Sequence, residues 1–374
     1  MGATLPMPAG AASKAPIKIG YLWQIQGESA VGISDYNDGA NLAVQQLNAK
    51  GGITGHKIVT FRVPLNILTL QATVATFLRA ANQNPNAMVG IVAPTASAAL
   101  ASDITKEKIP VLATDVADPF DVKGAKEGSA YQWFAGSYDP TLVSSGINYM
   151  VKTLHLSKIA VTGGSDNYGK IGTSAATSAL AGNKLKPFTT QSYSETATNL
   201  SSVVLATQGA DGVFSWGYPN PLAVQQKEMA QSNQLVPFLS NVGAEQTASG
   251  GLVPPEQLKN LLITAPCNPG NPTYSTSVAA YAKAYKAKYG TAPRINSAWA
   301  YDGVMAIAKA VKASGGKITS AAIQKGLAKV SFSGACGVLK ADAKNVLNHQ
   351  GVIIRYTATG TPKNAKVFLT HPKY

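Results

Sequence analysis

The sequence has no uninterrupted apolar stretch of the roughly 18 residues that a membrane-spanning helix requires, so we expect no such helix. Cysteine occurs only twice in 374 residues, which excludes a disulfide-dense scaffold and a four-cysteine zinc site. Charged residues contribute only 13% and form no long runs, which argues against an intrinsically disordered chain. Hydrophobic residues make up 45%, enough for two or three packed domains of ordinary size.

The residues needed for common catalytic sites are also scarce. The four histidines, His56, His155, His349 and His371, are isolated and have no metal-ligand spacing and no obvious Ser or Cys partner. The chain has no G-x-S-x-G nucleophile elbow, and no G-x-G-x-x-G follows its first predicted strand. We therefore expect no catalytic residue, no bound metal and no cofactor.

One near-match to a phosphate-binding loop keeps an enzyme alternative open. Residues 164–170 fit the pattern G-x-x-x-x-G-K, follow a predicted strand and open a helix. Ile171 stands where a Ser or Thr would hold Mg²⁺. A nucleotide-binding α/β enzyme is therefore kept as a third hypothesis, behind two binding functions.

The net charge is +14, from 32 Lys and Arg against 18 Asp and Glu. The lysines are scattered, as in residues 281–288, whereas nucleic-acid binding needs clustered positive charges that neutralise several phosphates together. We interpret the charge as a generally basic surface and expect no nucleic-acid partner.

Short β-rich runs alternate with helical stripes along most of the chain. The alternation starts at Ile17 and restarts at about residue 138, which predicts two α/β units, each with a parallel sheet covered on both faces. Residues 1–16, rich in Ala, Pro and Gly, are predicted to be a flexible tail. The predicted strands are 17–22, 56–63, 87–92, 109–113, 158–162, 187–193, 212–216, 236–240 and 261–265, with β segments at 351–356 and 365–369. Helices are predicted around 40–47 and at 70–81, 97–106, 142–154, 171–181, 200–208, 222–231, 274–289, 297–313 and 320–327.

The segments that follow the strands are candidates for a ligand site, because ligands of open parallel sheets bind beyond the carboxyl ends of strands. Aromatic and hydroxyl side chains dominate these segments, which suits a small-molecule pocket, although exposed loops are polar in any case. The first turn of the helix near Thr95 and Ser97 could receive a carboxylate on its N–H groups, or these residues could simply cap the helix. The segments are 23–27, 93–97, 114–120, 166–169, 216–221 and 241–245.

Cys267 and Cys336 both follow β-like segments. In an oxidising compartment they would pair and close a long loop, contributing roughly 4 kcal/mol through chain entropy. In a reducing compartment they would remain two buried thiols.

Five segments in register resemble periplasmic solute-binding proteins of the leucine/isoleucine/valine type, from branched-chain amino acid ABC transporters. Residues 38–58 resemble the first helix and second strand of that family, and residues 90–100 resemble its carboxylate-holding segment. Residues 167–169, 216–219 and 300–304 also match in order and spacing. The resemblance extends over nearly the whole chain, from about residue 17 to residue 369.

The resemblance implies the type I periplasmic binding protein fold: two Rossmann-like α/β lobes with parallel central sheets, joined by three hinge crossings around a ligand cleft. The first lobe would comprise residues 17–137 and 267–345, and the second residues 138–266 and 346–374. The resemblance also implies a monomer without catalysis or cofactor, which closes on a small-molecule ligand and delivers it to an ABC transporter membrane permease. Its location would be periplasmic, reached through a signal peptide that is removed.

Carried over residue by residue, the resemblance places Thr95, Ala96 and Ser97 in the turn that holds the ligand carboxylate. Tyr168 and Tyr218 match the second-lobe tyrosines that close over the ligand. The full set of candidate ligand-binding residues is Trp23, Thr95, Ala96, Ser97, Asp115, Ala117, Tyr168, Trp216, Tyr218, Val242 and Glu245, with Cys267 and Cys336 as the candidate disulfide.

Two positions depart from the family's amino-acid binders. Ala117 stands where they carry a threonine, and Asn241 and Val242 stand where they carry the acid that holds the ligand ammonium. Because a buried ammonium without an acceptor is costly, the first hypothesis is a small organic carboxylate, aromatic acids included. The second hypothesis is an amino acid whose ammonium is held by Glu245 or Asp115.

Overall fold

The computed structural model describes residues 14–26, 30–67, 69–126 and 128–369, which form strands and helices in alternation. The strands are β1 (Ile17–Leu22), β2 (Gln24–Gln26), β3 (Ile58–Arg62), β4 (Leu65–Asn66), β5 (Ala87–Gly90), β6 (Val111–Ala113), β7 (Gln132–Phe134), β8 (Ile159–Gly164), β9 (Thr190–Tyr193), β10 (Gly212–Trp216), β11 (Phe238–Ser240), β12 (Leu261–Ala265), β13 (Ser331–Gly334), β14 (Gly337–Lys340), β15 (Gln350–Tyr356) and β16 (Pro362–Leu369). The helices are α1 (Ala30–Ala49), α2 (Leu70–Ala81), α3 (Pro94–Glu107), α4 (Asp139–Lys152), α5 (Asn167–Gly182), α6 (Ser201–Ala206), α7 (Pro219–Gln231), α8 (Gly243–Ser249), α9 (Pro255–Leu258), α10 (Thr276–Tyr289), α11 (Ile295–Ala313) and α12 (Ser320–Leu327).

A five-stranded parallel sheet in the order β3-β1-β5-β6-β7 forms the centre of the first lobe. Successive side chains of a strand point to opposite faces, and both faces are covered here. Ile19 and Val89 pack into one core with residues of α1 and α11, whereas Met88 and Val111 pack into another core with residues of α2 and α3. The apolar strands are therefore buried on both sides, as a parallel sheet requires.

A seven-stranded sheet in the order β16-β15-β12-β11-β10-β8-β9 forms the centre of the second lobe. The five strands from β12 to β9 are parallel, and β15 and β16 join antiparallel at the β12 edge. Helices α4 and α5 pack on one face of this sheet with Val161 and Phe214, whereas α6 and α7 pack with Ala160 and Val213 on the other, and α8 and α9 contact α7. The predicted pair of α/β lobes with parallel central sheets is confirmed, with the two C-terminal strands as antiparallel additions.

The chain passes between the lobes three times: from β7 into α4, from β12 into α10, and from β14 into β15. A disulfide joins Cys267, at the start of the second crossing, to Cys336, in the turn between β13 and β14. Since β14 leads directly into the third crossing, one covalent bond ties two of the three crossings together.

The turn between β13 and β14 is also held from α11. The fully buried carboxylate of Asp302 accepts hydrogen bonds from the backbone N–H groups of Ala335 and Cys336, both at 2.7 Å. Burial raises the pKa of Asp302 to about 7. The turn that carries the disulfide is thus anchored to α11 through Asp302.

Helices α1 and α11 pack closely in the first lobe. A Cβ atom added at Gly39 would lie 1.9 Å from the backbone oxygen of Ser297, so only glycine permits this approach. The Arg294 guanidinium donates two 2.7 Å hydrogen bonds to the buried carboxylate of Asp35. Burial raises the pKa of Asp35 to about 6. This ion pair joins the first half of α1 to the residue that precedes α11.

Every strand and helix predicted from periodicity is present, but two helices that matter for function begin earlier than predicted. α3 begins at Pro94 and α7 at Pro219, because proline is favoured in the first turn of a helix although it adds nothing to an apolar stripe. Of the predicted flexible tail, residues 1–13 lie outside the described residues. Lys14 donates to the backbone oxygen of Thr54 at 2.9 Å. Among the described helices, none has both the length and the apolarity needed to span a membrane.

Candidate functional site

Ligands of open parallel sheets bind at the topological switch point, where the strand order reverses. The switch points of both sheets face one gap between the lobes. The switch lies between β1 and β5 in the first lobe and between β8 and β10 in the second. A cavity of about 40 Å³ occupies this gap. Its lining residues are Tyr36, Val92, Pro94, Asp115 and Trp299 from the first lobe and Tyr168, Gly217, Tyr218, Pro219, Asn241, Val242, Gly243 and Gln246 from the second.

The cavity wall after β5 depends on an unusual backbone turn. Gly90 has φ +134° and Ile91 has φ +63°, a left-handed conformation that is strained for a β-branched residue. The N–H of Ile91 donates to the oxygen of Leu22 at 3.0 Å, which keeps the turn against the end of β1. The turn brings Val92 and Pro94 to the cavity.

Two long helices begin at the cavity, α3 at Pro94 and α7 at Pro219. Neither has a side-chain hydrogen bond at its N-cap, so protein side chains do not cap the N–H groups of the first turn there. The helix dipole adds partial positive charge at these ends. Pro219 and Pro221 lack an N–H group, so the start of α3 is the better of the two ends to receive an anionic group such as a carboxylate.

Aromatic side chains form much of the cavity wall. Tyr36 stacks on Trp23, with ring centroids 5.2 Å apart and an interplanar angle of 10°. Tyr168 and Tyr218 approach each other from the second lobe, with centroids 5.8 Å apart. Together with Trp299 they provide flat apolar surfaces for the nonpolar part of a ligand.

A hydrogen-bonded cluster crosses between the lobes beside the cavity. Thr95 of the first lobe donates to the Asp166 carboxylate of the second lobe at 3.0 Å, and the Tyr218 hydroxyl donates to the same oxygen at 3.2 Å. The other oxygen of Asp166 accepts from the Gly169 N–H at 2.9 Å and caps α5. Thr95 therefore contributes to holding the lobes together.

Asn241 fixes the second-lobe wall. Its amide donates to the Tyr168 hydroxyl and to the Gly217 oxygen, both at 2.9 Å, and its side-chain oxygen accepts from the Gly243 N–H at 2.9 Å. Because its amide makes bonds to three neighbours, Asn241 orients Tyr168 and does not act as a mobile ligand contact.

Acidic residues collect beside the cavity around the first crossing, three of them in the first lobe and Asp139 at the start of α4 in the second. Asp115 lines the cavity and is 6% exposed, and Asp118, Asp121 and Asp139 are buried nearby. Burial raises the pKa of Asp118 to about 6, and burial with the neighbouring carboxylates raises the pKa values of Asp121 and Asp139 well above their usual range. No Lys or Arg is among the described residues that line the cavity. In the described ranges, no three His, Cys, Asp or Glu side chains are arranged to hold a metal ion.

Glu245 does not line the cavity; it bridges the lobes. Its carboxyl oxygen accepts from the backbone N–H of Ile295 at 3.1 Å, at the start of α11. Glu245 is 4% exposed, and burial raises its pKa to about 8. At neutral pH the protonated form therefore predominates in this closed arrangement.

Four further predicted site residues lie outside the cavity lining. Ala96 and Ser97 are buried in α3, and the Ser97 oxygen accepts from the Gln132 side chain at 3.0 Å. Ala117 is buried in a small core at the first crossing. Trp216 lies in the second-lobe core, with its ring 5.8 Å from that of Tyr168. Of the predicted residues, the structure brings Asp115, Tyr168, Tyr218 and Val242 together at the cavity, with Trp23 and Thr95 beside it.

Sequence reasoning missed the contribution of α1 and α11. Tyr36 and Trp299 line the cavity from these helices, which lie over the first-lobe sheet. A rule based on strand ends cannot select them. The only available signal for Trp299 was its position just before the family-like segment 300–304.

In the segment that resembles a phosphate-binding loop, residues 164–170, carboxylates of the protein itself accept from the backbone N–H groups. Asp166 caps the N-terminus of α5, and Glu195 accepts from the Asp166 N–H at 2.6 Å. Two carboxylates at the first turn would repel a nucleotide phosphate. This geometry disfavours the nucleotide hypothesis.

A larger groove of about 730 Å³ lies on the second lobe, on the other side of Tyr218. Its lining includes Thr198, Lys227 and Leu252 and comes from the second lobe alone. Closure of the two lobes therefore does not enclose it, and the cavity between the lobes is the better candidate site.

Two α/β lobes joined by three crossings, with a cavity between them at both switch points, are the architecture of a two-lobed binding protein. The sequence model of the periplasmic binding protein family matches residues 16–361, and the chain belongs to this family. No curated protein sequence matches the chain significantly.

Solved structures show the same fold at low sequence identity. LivJ, the branched-chain amino acid transporter substrate-binding protein of Streptococcus pneumoniae in complex with isoleucine, is 20% identical, with a TM-score of 0.81 over 96% of this chain and 100% of that chain. The leucine-binding protein LivK of Thermotoga maritima is 18% identical, with a TM-score of 0.83 over 95% of this chain and 99% of that one. A solute-binding protein of an R. palustris ABC transporter in complex with benzoate is 15% identical, with a TM-score of 0.81 over 95% of this chain and 97% of that one.

Proposed function

We propose that this chain is the extracytoplasmic solute-binding protein of an ABC importer, and that it captures a small carboxylate-bearing solute between its lobes by hinge closure. The observation that carries this proposal is the cavity lined by both lobes at both switch points. The chain would act as a monomer in the periplasm, after removal of a signal peptide, and pass the solute chemically unchanged to a membrane permease.

The carboxylate would bind at the first turn of α3. The N–H groups of Thr95 and Ala96 belong to this turn, whose N-terminal residue, Pro94, lines the cavity, whereas the Ser97 N–H already donates to the Ala93 oxygen at 2.9 Å. No cationic side chain among the described lining residues offers an alternative anion site. The helix dipole thus provides the positive potential that binds the acid group.

The acidic side chain in the cavity favours a solute that also carries an ammonium. Asp115 lines the cavity, with one carboxylate oxygen accepting from the Val116 N–H at 2.7 Å, whereas Glu245 lies outside the lining and accepts from the Ile295 N–H. Of the two residues considered for holding an ammonium, Asp115 is therefore the one in position. An amino acid is the solute class that the geometry supports best.

An aromatic carboxylate is the second candidate, because Tyr36, Tyr168, Tyr218 and Trp299 surround the cavity with flat rings. The similarity to the benzoate complex supports this candidate at the level of the fold.

Ligand entry requires the lobes to separate, because about 40 Å³ is far below the roughly 300 Å³ of the smallest usual ligand pockets. The moving units would be residues 17–137 with 267–345 and residues 138–266 with 346–374. The contacts of Thr95 and Glu245 across the gap would break on opening and re-form on closure.

Isothermal titration calorimetry with asparagine, leucine, isoleucine, phenylalanine, benzoate and 4-hydroxybenzoate tests the proposal. We expect at least one amino acid to bind, and Asp115→Asn to weaken amino-acid binding at least tenfold while benzoate binding, where present, is retained. Binding of benzoate alone would favour the second candidate. Small-angle scattering should show a smaller radius of gyration with ligand. Failure of every organic acid to bind would refute the proposal.

A further inference from the structure

The first two turns of α11 contain buried polar atoms without partners. Asn296 is 2% exposed and Trp299 is 1% exposed. Within the described parts of the chain, neither the Oδ1 nor the Nδ2 atom of Asn296 has a hydrogen-bond partner, and the Nε1 atom of Trp299 has none either. Buried polar groups are paired in the great majority of cases, and leaving them unpaired is costly.

These two side chains lie on the same face of α11, since residues three apart in a helix are neighbours on its surface. Trp299 lines the cavity between the lobes. The residue before Asn296, Ile295, donates its N–H to Glu245 of the second lobe at 3.1 Å, which places the start of the helix at the lobe interface. Asn296 is not among the residues that line the cavity, but it lies one turn before Trp299, between that residue and the contact with Glu245.

Ser297, which lies between Asn296 and Trp299 in sequence, has hydrogen-bond partners. Ser297 is fully buried, accepts from the Tyr281 hydroxyl at 2.8 Å and donates to the Arg294 oxygen at 2.7 Å. The protein thus satisfies the polar group that faces its core. It leaves unsatisfied Trp299, which lines the cavity, and Asn296, one turn before it.

We propose that Asn296 and Trp299 form a hydrogen-bonding subsite for a second polar group of the solute, beyond its carboxylate. This inference rests on the proposed function. The Asn296 amide offers one acceptor and two donors, and the Trp299 indole offers one donor. Such a set matches a carboxamide or a hydroxyl group in the side chain of the solute. The solute class is therefore a polar amino acid or a hydroxylated acid, and not a purely aliphatic or hydrocarbon one.

Pairs of ligands of the same shape test this subsite. Asparagine and leucine have side chains of similar shape, as do 4-hydroxybenzoate and 4-methylbenzoate. A site with hydrogen-bonding groups rejects an analogue that lacks the matching group, because its own polar atoms are then left unpaired. We expect the polar member of at least one pair to bind the full-length protein at least tenfold more tightly by calorimetry.

The variant Asn296→Leu should abolish or reverse that preference. Gln257→Met is the matched control, because Gln257 is also a buried amide with an unpartnered Nε2 atom but lies in α9, a helix that contributes no residue to the cavity lining. The control should keep the preference. Without ligand, Asn296→Leu should unfold at a higher temperature than the wild type, since it removes an unsatisfied buried amide.

Equal binding of the members of both pairs would overturn the subsite while the proposed function stands. The same holds if Asn296→Leu keeps the polar preference or unfolds at a lower temperature, since Asn296 would then have a structural role. If none of these four compounds and none of the amino acids or benzoate binds, the proposed function itself fails and the subsite fails with it.

Discussion

Replacing Glu245 by Gln should tighten ligand binding at neutral pH. The carboxyl group of Glu245 contacts Ile295 across the gap, and its charged neighbours in the first lobe are Asp35 and Arg294. Opening the lobes removes these contacts and returns the carboxyl group to water, where its pKa is near its ordinary value. In the closed arrangement burial raises that pKa from 4.5 to about 8.

The sign of the pH dependence follows from this difference. Below pH 4.5 the carboxyl group is protonated in both states and closure has no electrostatic cost. As the pH rises toward 8, closure must bind a proton or bury a charge, so the closed state is progressively destabilised. pH 7 lies 2.5 units above the ordinary pKa of 4.5. At this pH the raised pKa of Glu245 therefore destabilises the closed state by about 3 kcal/mol.

Calorimetric titrations at pH 5, 6, 7 and 8 measure this effect. The wild type should lose affinity as the pH rises, whereas Glu245→Gln, which keeps an acceptor for the Ile295 N–H, should show a much flatter profile. At pH 7 the variant should bind about 150 times more tightly, the factor that corresponds to about 3 kcal/mol. Loss of binding in Glu245→Gln would refute the reasoning and would indicate that Glu245 holds the ligand ammonium.

Three further predictions concern stability and are measured by urea unfolding. Asp302→Ala should lower the free energy of unfolding by about 3 kcal/mol, because it leaves two buried N–H groups without an acceptor; a change near zero would mean that the turn is held by other contacts. Reduction of the disulfide between Cys267 and Cys336, which are 69 residues apart, should cost about 4 kcal/mol through the entropy of the unfolded chain, and a double serine variant should show the same loss with or without reductant. Gly39→Ala should destabilise by about 2 kcal/mol or more because its Cβ would meet a backbone oxygen at 1.9 Å, whereas Gly182→Ala, with nothing within 4 Å, should not destabilise; equal effects would contradict the close packing of α1 and α11.

The elements with clear apolar periodicity could be predicted from the sequence. β1, β10, β12, α2 and α12 have the bounds that periodicity predicts, because each has a strong apolar pattern between turn residues. β7 was missed because three residues are too few to show a period. The β13–β14 hairpin was missed because its turn depends on a carboxylate from α11, which local sequence does not reveal.

The candidate site was predictable only in part, for a similar reason. Residues that follow strands, such as Tyr168 and Tyr218, are selected by the topology of parallel sheets. Tyr36, Asn296 and Trp299 come from helices that are far from those strands in sequence. Their proximity to the cavity depends on how α1 and α11 pack on the sheet, and a pattern within one segment carries no information about that packing.

The antiparallel pairing of β15 with β12 has a consequence for synthesis of the protein on the ribosome. β12 ends at Ala265, and until residues 350–356 emerge its outer edge has no partner strand. An open apolar edge can pair with other chains, so a nascent or truncated polypeptide that stops before β15 should be prone to aggregation. β15 and β16 therefore complete a lobe whose other strands are synthesised much earlier. For the same reason, two contiguous halves of the gene cannot encode the two lobes separately.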